Sequence, residues 1–317
     1  MNSDSDAGRV LAVDIGGTKI NVALVDADNT VTGLSTAATP SREDGASVVR
    51  QVLRVARRVI DSARDPAPTL VGIGSAGVVS PDGRRITSAT DAIRGWAGTE
   101  LAAGVEEALG LPCSVINDVH AHALGELAGG AGRGHESMLM VAVGTGIGGA
   151  VIVNGGLVPG AHGVAGHVGQ IRVTTTDPEN CAGYTDTLEN LASGPGMTRF
   201  YAQLGGKGVG NGHQLQAAAR TDALAADVIM SAGSVTGHTV ASLVNALDPE
   251  LVVVGGGVTR MGELWWRPLE EAYAETLMAP LRGTPLVAAE LGDDAALVGA
   301  AHHARARLKP LKKEPHP

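Results

Sequence analysis

Between Val141 and Val153 the chain reads Val-Ala-Val-Gly-Thr-Gly-Ile-Gly-Gly-Ala-Val-Ile-Val, with four glycines and a threonine between two aliphatic runs. This pattern predicts a strand, a glycine-rich turn and a returning strand. Glycine turns let backbone N–H groups come close to a ligand, and several converging amides favour an anion such as phosphate. Glycine-rich hairpins also occur where two backbones only pack closely. From this stretch alone, a phosphate site and close packing are equally open interpretations.

The same pattern occurs in shorter form near the start of the chain. From Val10 to Val25 the residues are Val-Leu-Ala-Val-Asp-Ile-Gly-Gly-Thr-Lys-Ile-Asn-Val-Ala-Leu-Val. Another pair of similar segments, each an apolar run that leads into glycines, lies at Leu70–Gly77 and Leu251–Gly257. Such self-similarity indicates two related halves. Predicted strands alternate with predicted helices along the chain, which is typical of an α/β fold with helices covering the sheets.

Composition and charge narrow the class of protein. The 317 residues are 44% hydrophobic and 18% charged, so the chain is globular and long enough for two domains. A net charge of −9 argues against nucleic acid as a partner, because phosphate backbones are bound through clustered Lys and Arg. Cys113 and Cys181 cannot support a disulfide framework, and the chain does not open with a secretory signal. We therefore expect a cytoplasmic protein.

One long segment lacks charged side chains but does not read as a membrane span. From Ser137 to Ile171 there is no Asp, Glu, Lys or Arg, a length that a hydropathy window would accept. Ten of the positions from Gly144 to Gly169 are glycine, which opposes a continuous apolar helix. We expect buried sheet and loop here, and no membrane partner.

Six motifs in a fixed order connect the glycine turns to a known family. Neither the P-loop nor the dinucleotide-binding fingerprint fits any of the glycine clusters. The motifs are Val13-Asp-Ile-Gly-Gly-Thr-Lys19, Ile116-Asn-Asp118 with Ala123-Leu-Gly-Glu126, Gly144-Thr-Gly-Ile-Gly-Gly149, Gly163-Val-Ala-Gly-His-Val-Gly169, Leu188-Glu189 with Ala192-Ser-Gly194, and Val254-Gly-Gly-Gly257. The three glycine turns among them, at residues 16–18, 144–149 and 255–257, resemble the phosphate and adenosine elements of the actin, sugar kinase and Hsp70 superfamily. Within it, nearly the whole chain resembles the ROK family of bacterial sugar kinases and repressors.

The resemblance implies a two-domain actin-like ATPase fold, an α/β fold of duplicated mixed β-sheets flanked by helices. We expect a smaller N-terminal domain at residues 1–118 plus 297–317 and a larger C-terminal domain at residues 119–296. The resemblance also implies a kinase that uses ATP and Mg²⁺ to phosphorylate the 6-hydroxyl of a hexose or N-acetylhexosamine, with N-acetylmannosamine or glucose favoured. Family members are commonly dimers or tetramers, so we expect a homodimer or homotetramer.

Asp118 is the expected catalytic residue. Phosphoryl transfer needs a carboxylate that takes the proton of the sugar hydroxyl as the O–P bond forms, and the family's base occupies this Asn-Asp position. By the same resemblance Asn117 holds sugar hydroxyls. An Asp that follows a strand is also a common helix N-cap, and both roles can be present together.

The glycine turns and their neighbours are assigned by resemblance to ATP and its metal ion. Asp14 is expected to organise Mg²⁺, commonly through water, because Mg²⁺ keeps much of its hydration and needs few protein ligands. A turn-forming Asx side chain is the alternative for Asp14, and an ordinary solvated charge is the alternative for Lys19. The residues expected to bind the nucleotide are Asp14, Gly16, Gly17, Thr18, Lys19, Gly144, Thr145, Gly146, Gly255, Gly256 and Gly257.

The sugar loop, Gly166-His-Val-Gly-Gln170 in this chain, departs from the family pattern, which is Gly-Glu-x-Gly-His followed by a Cys-x-Cys-Gly-x-x-Gly-Cys-Leu-Glu zinc site. Here His167 replaces the Glu, and Gln170 replaces the zinc-binding His. Of the cysteines only Cys181 is present, and a tetrahedral thiolate site cannot be built from it, so we expect no structural zinc. His in the Glu position also occurs in bacterial N-acetylmannosamine kinases. The residues expected to contact the sugar are Asn117, His167, Gln170, Glu189 and Asp91.

Two other classes of function are open at this point. A ROK repressor needs a winged-helix segment before the first glycine turn, whereas 13 residues precede Asp14. A catalytically impaired sugar-binding or regulatory protein would bind ATP without sugar turnover, and the altered sugar loop is compatible with this. Asp14, Asn117, Asp118 and Glu189 are all present, which favours the kinase.

Overall fold

The computed structural model describes residues 8–64, 66–176 and 183–308. In chain order its elements are β1 (Val10–Ile15), β2 (Lys19–Val25), β3 (Val31–Ala38), α1 (Gly45–Asp61), β4 (Leu70–Ser75), β5 (Val78–Val79), β6 (Ile86–Ser88), α2 (Leu101–Leu109), β7 (Cys113–Asn117), α3 (Asp118–Gly129), β8 (Met138–Val143), β9 (Ile147–Val153), β10 (Gly156–Leu157), β11 (Arg172–Thr176), β12 (Gly183–Thr187), α4 (Leu188–Ala192), α5 (Gly194–Gln203), α6 (Gly212–Ala218), α7 (Ala223–Leu247), β13 (Leu251–Gly255), α8 (Glu263–Thr276), β14 (Leu286–Ala288) and α9 (Ala295–Arg307). Among the helices of these ranges, none has both the length and the apolar character needed to cross a membrane.

Two five-stranded sheets share one topology. In the first the order is β3-β2-β1-β4-β7, with β1 antiparallel to β2 and parallel to β4, and β4 parallel to β7. In the second the order is β10-β9-β8-β13-β14, with β8 antiparallel to β9 and parallel to β13, and β13 parallel to β14. The repeated order confirms the related halves inferred from the glycine turns. It also confirms the α/β class with duplicated mixed sheets.

The described residues form two compact units, one within residues 8–134, 159–165 and 290–308, the other within residues 135–158 and 166–289. This grouping differs from the division expected from the sequence, which ended the first domain at residue 118 and resumed it at residue 297. α3 groups with the first unit because it packs against α9. The chain re-enters this unit at residue 290, before the expected residue 297. It does so because the N–H groups of Glu290 and Leu291 donate to the Glu126 carboxylate at 3.1 and 2.9 Å.

Residues 159–165 belong to the first unit, although the chain segments before and after them belong to the second. Nε2 of His120 lies 2.9 Å from the carbonyl oxygen of Ala165. Gly163 has a φ of +73°, and a methyl group there would lie 2.5 Å from the carbonyl oxygen of Val79. The backbone of Gly163 therefore lies directly against β5, in a contact that only glycine fits.

Each sheet is covered by helices that contribute to a hydrophobic core. In the first unit, Val48, Val52 and Val59 of α1 pack with the buried strand residues. In the second unit α7 and α8 are in backbone contact, since a methyl group on Gly233 would lie 2.3 Å from the carbonyl oxygen of Trp265. Trp265 is fully buried in that core.

Two glycines permit the contact between α3 and α9. A methyl group on Gly299 would lie 1.7 Å from the carbonyl oxygen of Ala121, and one on Gly125 would lie 2.0 Å from that of Ala295. Both neighbours are backbone atoms, which cannot rotate away as a side chain can. The two helices therefore touch backbone to backbone, and this contact holds α3 in its position.

We expect Gly299→Ala to lower the free energy of unfolding by about 2 kcal/mol or more, because overpacking a tight contact typically costs about 1–3 kcal/mol. Urea unfolding followed by circular dichroism measures the change. The control is Gly104→Ala in α2, where the new methyl group would make an ordinary contact 3.5 Å from Cγ1 of Val49. This control should gain about 0.5–1 kcal/mol from the higher helix propensity of alanine. Wild-type stability in Gly299→Ala would contradict the packing described.

Candidate active site

Two carboxylates meet at one edge of the first sheet. β1, β4 and β7 are parallel neighbours, with Asp14 in register with Gly74, and Gly74 with Ile116. Asp118 begins α3 directly after β7. A methyl group on Gly74 would lie 3.1 Å from Cβ of Ala121 and 3.8 Å from Cα of Asp118. The bare Gly74 position thus lets the first turn of α3 lie over β4, which brings Asp118 near Asp14.

Asn117 is the N-cap of α3 and orients Asp118. Its Oδ1 accepts from the N–H groups of Val119 and His120 at 3.0 and 3.2 Å. Its Nδ2 donates to the carbonyl oxygen of Gly77 at 3.0 Å and to Oδ1 of Asp118 at 2.9 Å. A primary amide has two donors and two acceptor positions, so these four bonds use all of them. The N-cap role considered for Asp118 is therefore wrong and belongs to Asn117.

Asp118 is held by one carboxylate oxygen only. Oδ1 accepts from Nδ2 of Asn117 and from the N–H of Val119, both at 2.9 Å. Within the described part of the chain, no hydrogen-bond donor reaches Oδ2. A carboxylate that is fixed at one oxygen and open at the other suits a proton acceptor.

Asp14 is a largely buried acid with a perturbed proton affinity. Nδ2 of Asn21 donates to its Oδ2 at 3.3 Å, and the Thr36 hydroxyl donates to Oδ1 of Asn21 at 2.9 Å. Burial is the main reason that the pKa of Asp14 is raised to about 6; His122 opposes the rise, and the charge of Asp118 adds to it. Sequence reasoning missed Asn21 and His122. Two signals could have found them, since Asn21 is polar within an apolar strand and His122 lies one helical turn after Asp118.

The first glycine turn joins β1 to β2 at residues 16–18. Asp14 pairs with Asn21 inside the hairpin, so the turn-forming role considered for Asp14 is wrong. The N–H of Gly16 donates to the carbonyl oxygen of Lys19 at 3.0 Å, which closes the turn. A main-chain hydrogen bond closes this turn, so the Asp14 carboxylate is not needed to hold it.

The side chains of Thr18 and Lys19 are exposed at this turn. Nζ of Lys19 lies 2.8 Å from Oδ2 of Asp293, with 46% and 67% of the two side chains exposed. An ion pair so open to water contributes little to stability. Lys19 can therefore exchange Asp293 for another anion at small cost.

Asp91 belongs to the same region of the first unit. A methyl group on Gly17 would lie 3.4 Å from Cβ of Ala92, so the turn that contains Asp91 lies beside the first glycine turn. Buried Trp96 anchors this segment by donating from Nε1 to the carbonyl oxygen of Ala76 at 3.0 Å. The Asp91 side chain itself is exposed.

In the second unit two glycine turns lie against each other. The N–H of Gly144 donates to the carbonyl oxygen of Gly146 at 2.8 Å and closes the turn between β8 and β9. Gly256 has a φ of +91°, and a methyl group there would lie 2.4 Å from the carbonyl oxygen of Val143. A methyl group on Gly144 would lie 3.8 Å from the N atom of Gly257. The structure thus brings together the two segments expected to bind phosphate and adenosine.

Two more glycines, Gly194 and Gly212, extend this surface. The N–H of Gly194 donates to the carbonyl oxygen of Gly144 at 2.9 Å. A methyl group on Gly212 would lie 3.7 Å from Cα of Gly194 and 3.4 Å from Cε of Met261. From the sequence, Gly194 was part of a motif but had no assigned role, and Gly212 was not singled out. Each is the first residue of a helix, α5 or α6, which is the signal that could have drawn attention to them.

Glu189 connects the glycine turn between β8 and β9, the second glycine turn of the chain, to the sugar loop. Its Oε2 accepts from the N–H of Ile147 at 2.8 Å. A methyl group on Gly169 would lie 2.1 Å from the carbonyl oxygen of Ile147, so the loop also touches this strand end. His167 and Gln170 are exposed; His167 precedes a short 3₁₀ turn over residues 168–170, and Gln170 is its last residue. The Glu189 carboxylate and the backbone of the sugar loop therefore lie at the same end of β9.

The expected loss of the zinc site stays a prediction, because Cys181 lies outside the described residues. Across residues 8–64, 66–176 and 183–308, no group of three or more His, Cys, Asp or Glu side chains is placed to hold a metal ion. Gln170, at the position of the family's zinc-binding His, has an exposed side chain.

Comparison with known proteins identifies the family. The family model described as ROK family matches residues 10–307, nearly the whole chain. The chain belongs to the ROK family. It is 32% identical over 314 residues to a glucokinase of Halalkalibacterium halodurans, covering 91% of this chain and 92% of that protein. It is 31% identical over 315 residues to an N-acetylmannosamine kinase of Yersinia pestis, covering 95% of this chain and 100% of that protein.

A solved structure agrees with this ROK assignment. The crystal structure of a ROK family glucokinase from Streptomyces griseus in complex with glucose and AMPPNP superposes with a TM-score of 0.79 at 32% identity. The match covers 94% of this chain and 100% of that one. The likeness confirms the sugar kinase type of actin-like fold that the motifs predict.

We expect Asp14→Asn to stabilise this ROK protein in the absence of metal at pH 8. The folded-state pKa of about 6 lies above the ordinary value of 3.8. The contribution of Asp14 to stability is therefore fully present below about pH 4 and is lost as the pH rises through about 6. Since one pKa unit corresponds to about 1.4 kcal/mol, the gain at pH 8 should be about 1–3 kcal/mol.

Urea unfolding in EDTA at pH 4.5, 6 and 8 measures this gain, which should be small at pH 4.5. Asp91→Asn removes an exposed carboxylate from the same unit and is the control, with wild-type stability expected at each pH. An equal difference between Asp14→Asn and wild type at all three pH values would contradict the burial of charge at Asp14.

Proposed function

We infer that this ROK protein is an ATP-dependent sugar kinase, and we propose that it phosphorylates the 6-hydroxyl of a hexose or N-acetylhexosamine. The observation that carries the proposal is the Asp118 carboxylate, with Oδ1 held by Asn117 and Val119 and Oδ2 open among the described residues. Support also comes from relatives that match most of the chain and are named glucokinase and N-acetylmannosamine kinase. The relative solved with glucose and AMPPNP supports a sugar acceptor and an ATP donor.

Asp118 acts in this proposal as the general base. Its Oδ2 takes the proton of the sugar hydroxyl while the hydroxyl oxygen bonds to the γ-phosphorus, and the bond from that phosphorus to the ADP oxygen breaks. Such general-base help is typically worth about 10²–10⁴-fold in rate. Because Oδ1 is already fixed, the proton acceptor needs little further ordering when the sugar arrives.

Asn117 acts in this proposal as a positioning residue for Asp118. The resemblance to the family implies that Asn117 contacts sugar hydroxyls directly. In this structure its amide has no spare donor or acceptor, since all four positions bind protein atoms. A direct sugar contact would require Nδ2 to leave either Gly77 or Asp118.

The surroundings of Asp14 fit a magnesium ion. Its raised pKa shows that burial and the nearby Asp118 charge leave the ionised carboxylate under-compensated, which a cation would correct. One carboxylate is a sufficient protein ligand, because Mg²⁺ takes most of its oxygens from water and phosphate. We propose that Asp14 holds Mg²⁺, mainly through water, and that Asn21 orients Asp14. Bound Mg²⁺ would neutralise charge that develops on the phosphates.

We propose that the glycine turns bind the nucleotide, since bare backbone N–H groups suit phosphate oxygens. The proposed residues are Gly16, Gly17, Thr18 and Lys19 in the first unit, and Gly144, Thr145, Gly146, Gly255, Gly256 and Gly257 in the second. For the sugar we propose Asp91, His167, Gln170 and Glu189. A neutral imidazole can donate to an acetamido oxygen, which favours N-acetylmannosamine beside glucose. From the family resemblance we propose a homodimer or homotetramer as the assembly.

We expect Asp118→Asn to lower kcat by about 10²–10⁴-fold, the usual size of a lost general base. The dissociation constants for sugar and AMPPNP should stay within about threefold, because the amide keeps the shape of the carboxylate. A coupled ADP-release assay gives kcat, and titration calorimetry gives the dissociation constants. Full turnover in Asp118→Asn would overturn the assignment of Asp118.

The acceptor is identified by the same assay with glucose, N-acetylmannosamine, N-acetylglucosamine, mannose and fructose. We expect the highest kcat/KM with N-acetylmannosamine or glucose. His167→Glu should lower kcat/KM for N-acetylmannosamine relative to glucose by about tenfold, since a carboxylate cannot donate to the acetamido oxygen and one hydrogen bond is worth about 1 kcal/mol. ADP release that no sugar stimulates would overturn the kinase proposal and favour an ATP-binding regulatory protein.

A further inference from the structure

Glu189 touches the second glycine turn at two points. Its Oε2 accepts at 2.8 Å from the N–H of Ile147, the residue that follows Gly146. A methyl group on Gly146 would lie 2.7 Å from the same oxygen, so the carboxylate rests on the turn itself. Among the residues that the structure describes, no donor binds Oε1. Glu189 thus holds the turn with one oxygen and leaves the other for a ligand.

The sugar loop is joined to the same place through backbone contacts. Directly after the loop, the carbonyl oxygen of Ile171 accepts from the N–H of Leu188 at 2.8 Å. Within the loop, a methyl group on Gly169 would lie 2.1 Å from the carbonyl oxygen of Ile147. Neither contact leaves room for an intervening side chain. Glu189 and the sugar loop therefore both contact the backbone of Ile147, at the end of the glycine turn.

We propose that Glu189 couples sugar binding to nucleotide binding. A sugar hydroxyl that donates to Oε1 immobilises the carboxylate, and Oε2 then fixes the N–H of Ile147 and the turn at residues 144–146. Glycine turns lose much conformational entropy when they become ordered, so a turn already ordered by the sugar binds phosphate more tightly. By linkage, the nucleotide strengthens sugar binding by the same factor. This inference rests on the proposed kinase function and assigns its two substrates a shared contact.

The test measures binding of Mg-AMPPNP by titration calorimetry with and without a saturating sugar, using glucose and N-acetylmannosamine as probes. In the wild type we expect the sugar to strengthen AMPPNP binding about fivefold or more, the usual lower range of coupling between sites. In Glu189→Gln this factor should fall to about one. AMPPNP affinity without sugar should stay within about threefold, since an amide oxygen can still accept from Ile147.

Glu250→Gln is the matched control. Oε2 of Glu250 accepts from the N–H groups of Glu136 and Ser137 at 2.7 and 3.0 Å, beside the opposite end of β8. This variant therefore also removes a charged carboxylate that binds backbone amides, but far along the strand from the turn. It should keep the coupling factor of the wild type.

Gly146→Ala tests the contact from the other side. Its methyl group would displace Oε2 of Glu189, so we expect sugar affinity to fall about tenfold or more although no proposed sugar ligand is removed. If Glu189→Gln binds no sugar, its coupling factor cannot be measured, and the sugar affinity of Gly146→Ala then tests the proposal. Unchanged sugar affinity in Gly146→Ala, or equal coupling factors in Glu189→Gln and wild type, would overturn the inference, as would a wild-type factor of one. Turnover is measured on the same wild-type samples, and a lack of transfer to any sugar would overturn the proposed function instead.

Discussion

The close approach of α3 to the first sheet is the constraint on which the candidate site depends. Gly74 makes it easier, because a methyl group there would lie 3.1 Å from Cβ of Ala121, a tight contact that would need a small shift. The approach requires Gly299, which lets α9 hold α3 by direct backbone contact. The approach brings the carboxylates of Asp14 and Asp118 together at the end of the parallel strands. Burial, with a smaller addition from the charge of Asp118, raises the pKa of Asp14, so the place suits a cation better than it suits folding stability alone.

The duplicated hairpins have diverged at the position where this acid lies. Asp14 is the second residue from the end of β1 and pairs with Asn21. The matching position of β8 is Ala142, which pairs with Gly148. The first hairpin thus carries a hydrogen-bonded carboxylate, whereas the second carries no polar side chain there and is contacted from outside by Glu189. One topology therefore presents a hydrogen-bonded carboxylate in one half and a nearly side-chain-free surface in the other.

Sequence patterns predicted the buried strands and most helices because apolar runs that end in glycine are strong local signals. They missed β3, whose sequence Val-Thr-Gly-Leu-Ser-Thr-Ala-Ala is mostly exposed and becomes a strand only by pairing with β2. The β11–β12 ribbon was missed for a similar reason, since Arg-Val-Thr-Thr-Thr and Gly-Tyr-Thr-Asp-Thr contain no apolar run and the two strands pair with each other. Long-range pairing, which no local window contains, decides both elements.

Sequence motifs singled out residues of the candidate site, but they did not predict the hydrogen bonds that those residues make. Family motifs identified Asp14, Asp118 and Glu189, and the structure places each at a glycine turn or at the sheet edge beside one. The capping of α3 by Asn117 depends on a one-residue difference at the junction of strand and helix, which sequence patterns do not resolve. The bond from Glu189 to Ile147 joins residues 42 positions apart and follows only from the fold.

The most direct test of the central claim is a crystal structure of the protein with Mg-AMPPNP and its preferred sugar. We expect Oδ2 of Asp118 to lie about 2.6–3.2 Å from the sugar hydroxyl that is in line with the γ-phosphorus. Oδ1 should keep its bonds to Asn117 and Val119. A complex in which that hydroxyl binds another side chain, while Oδ2 of Asp118 contacts no sugar atom, would contradict the assignment of Asp118 as the base.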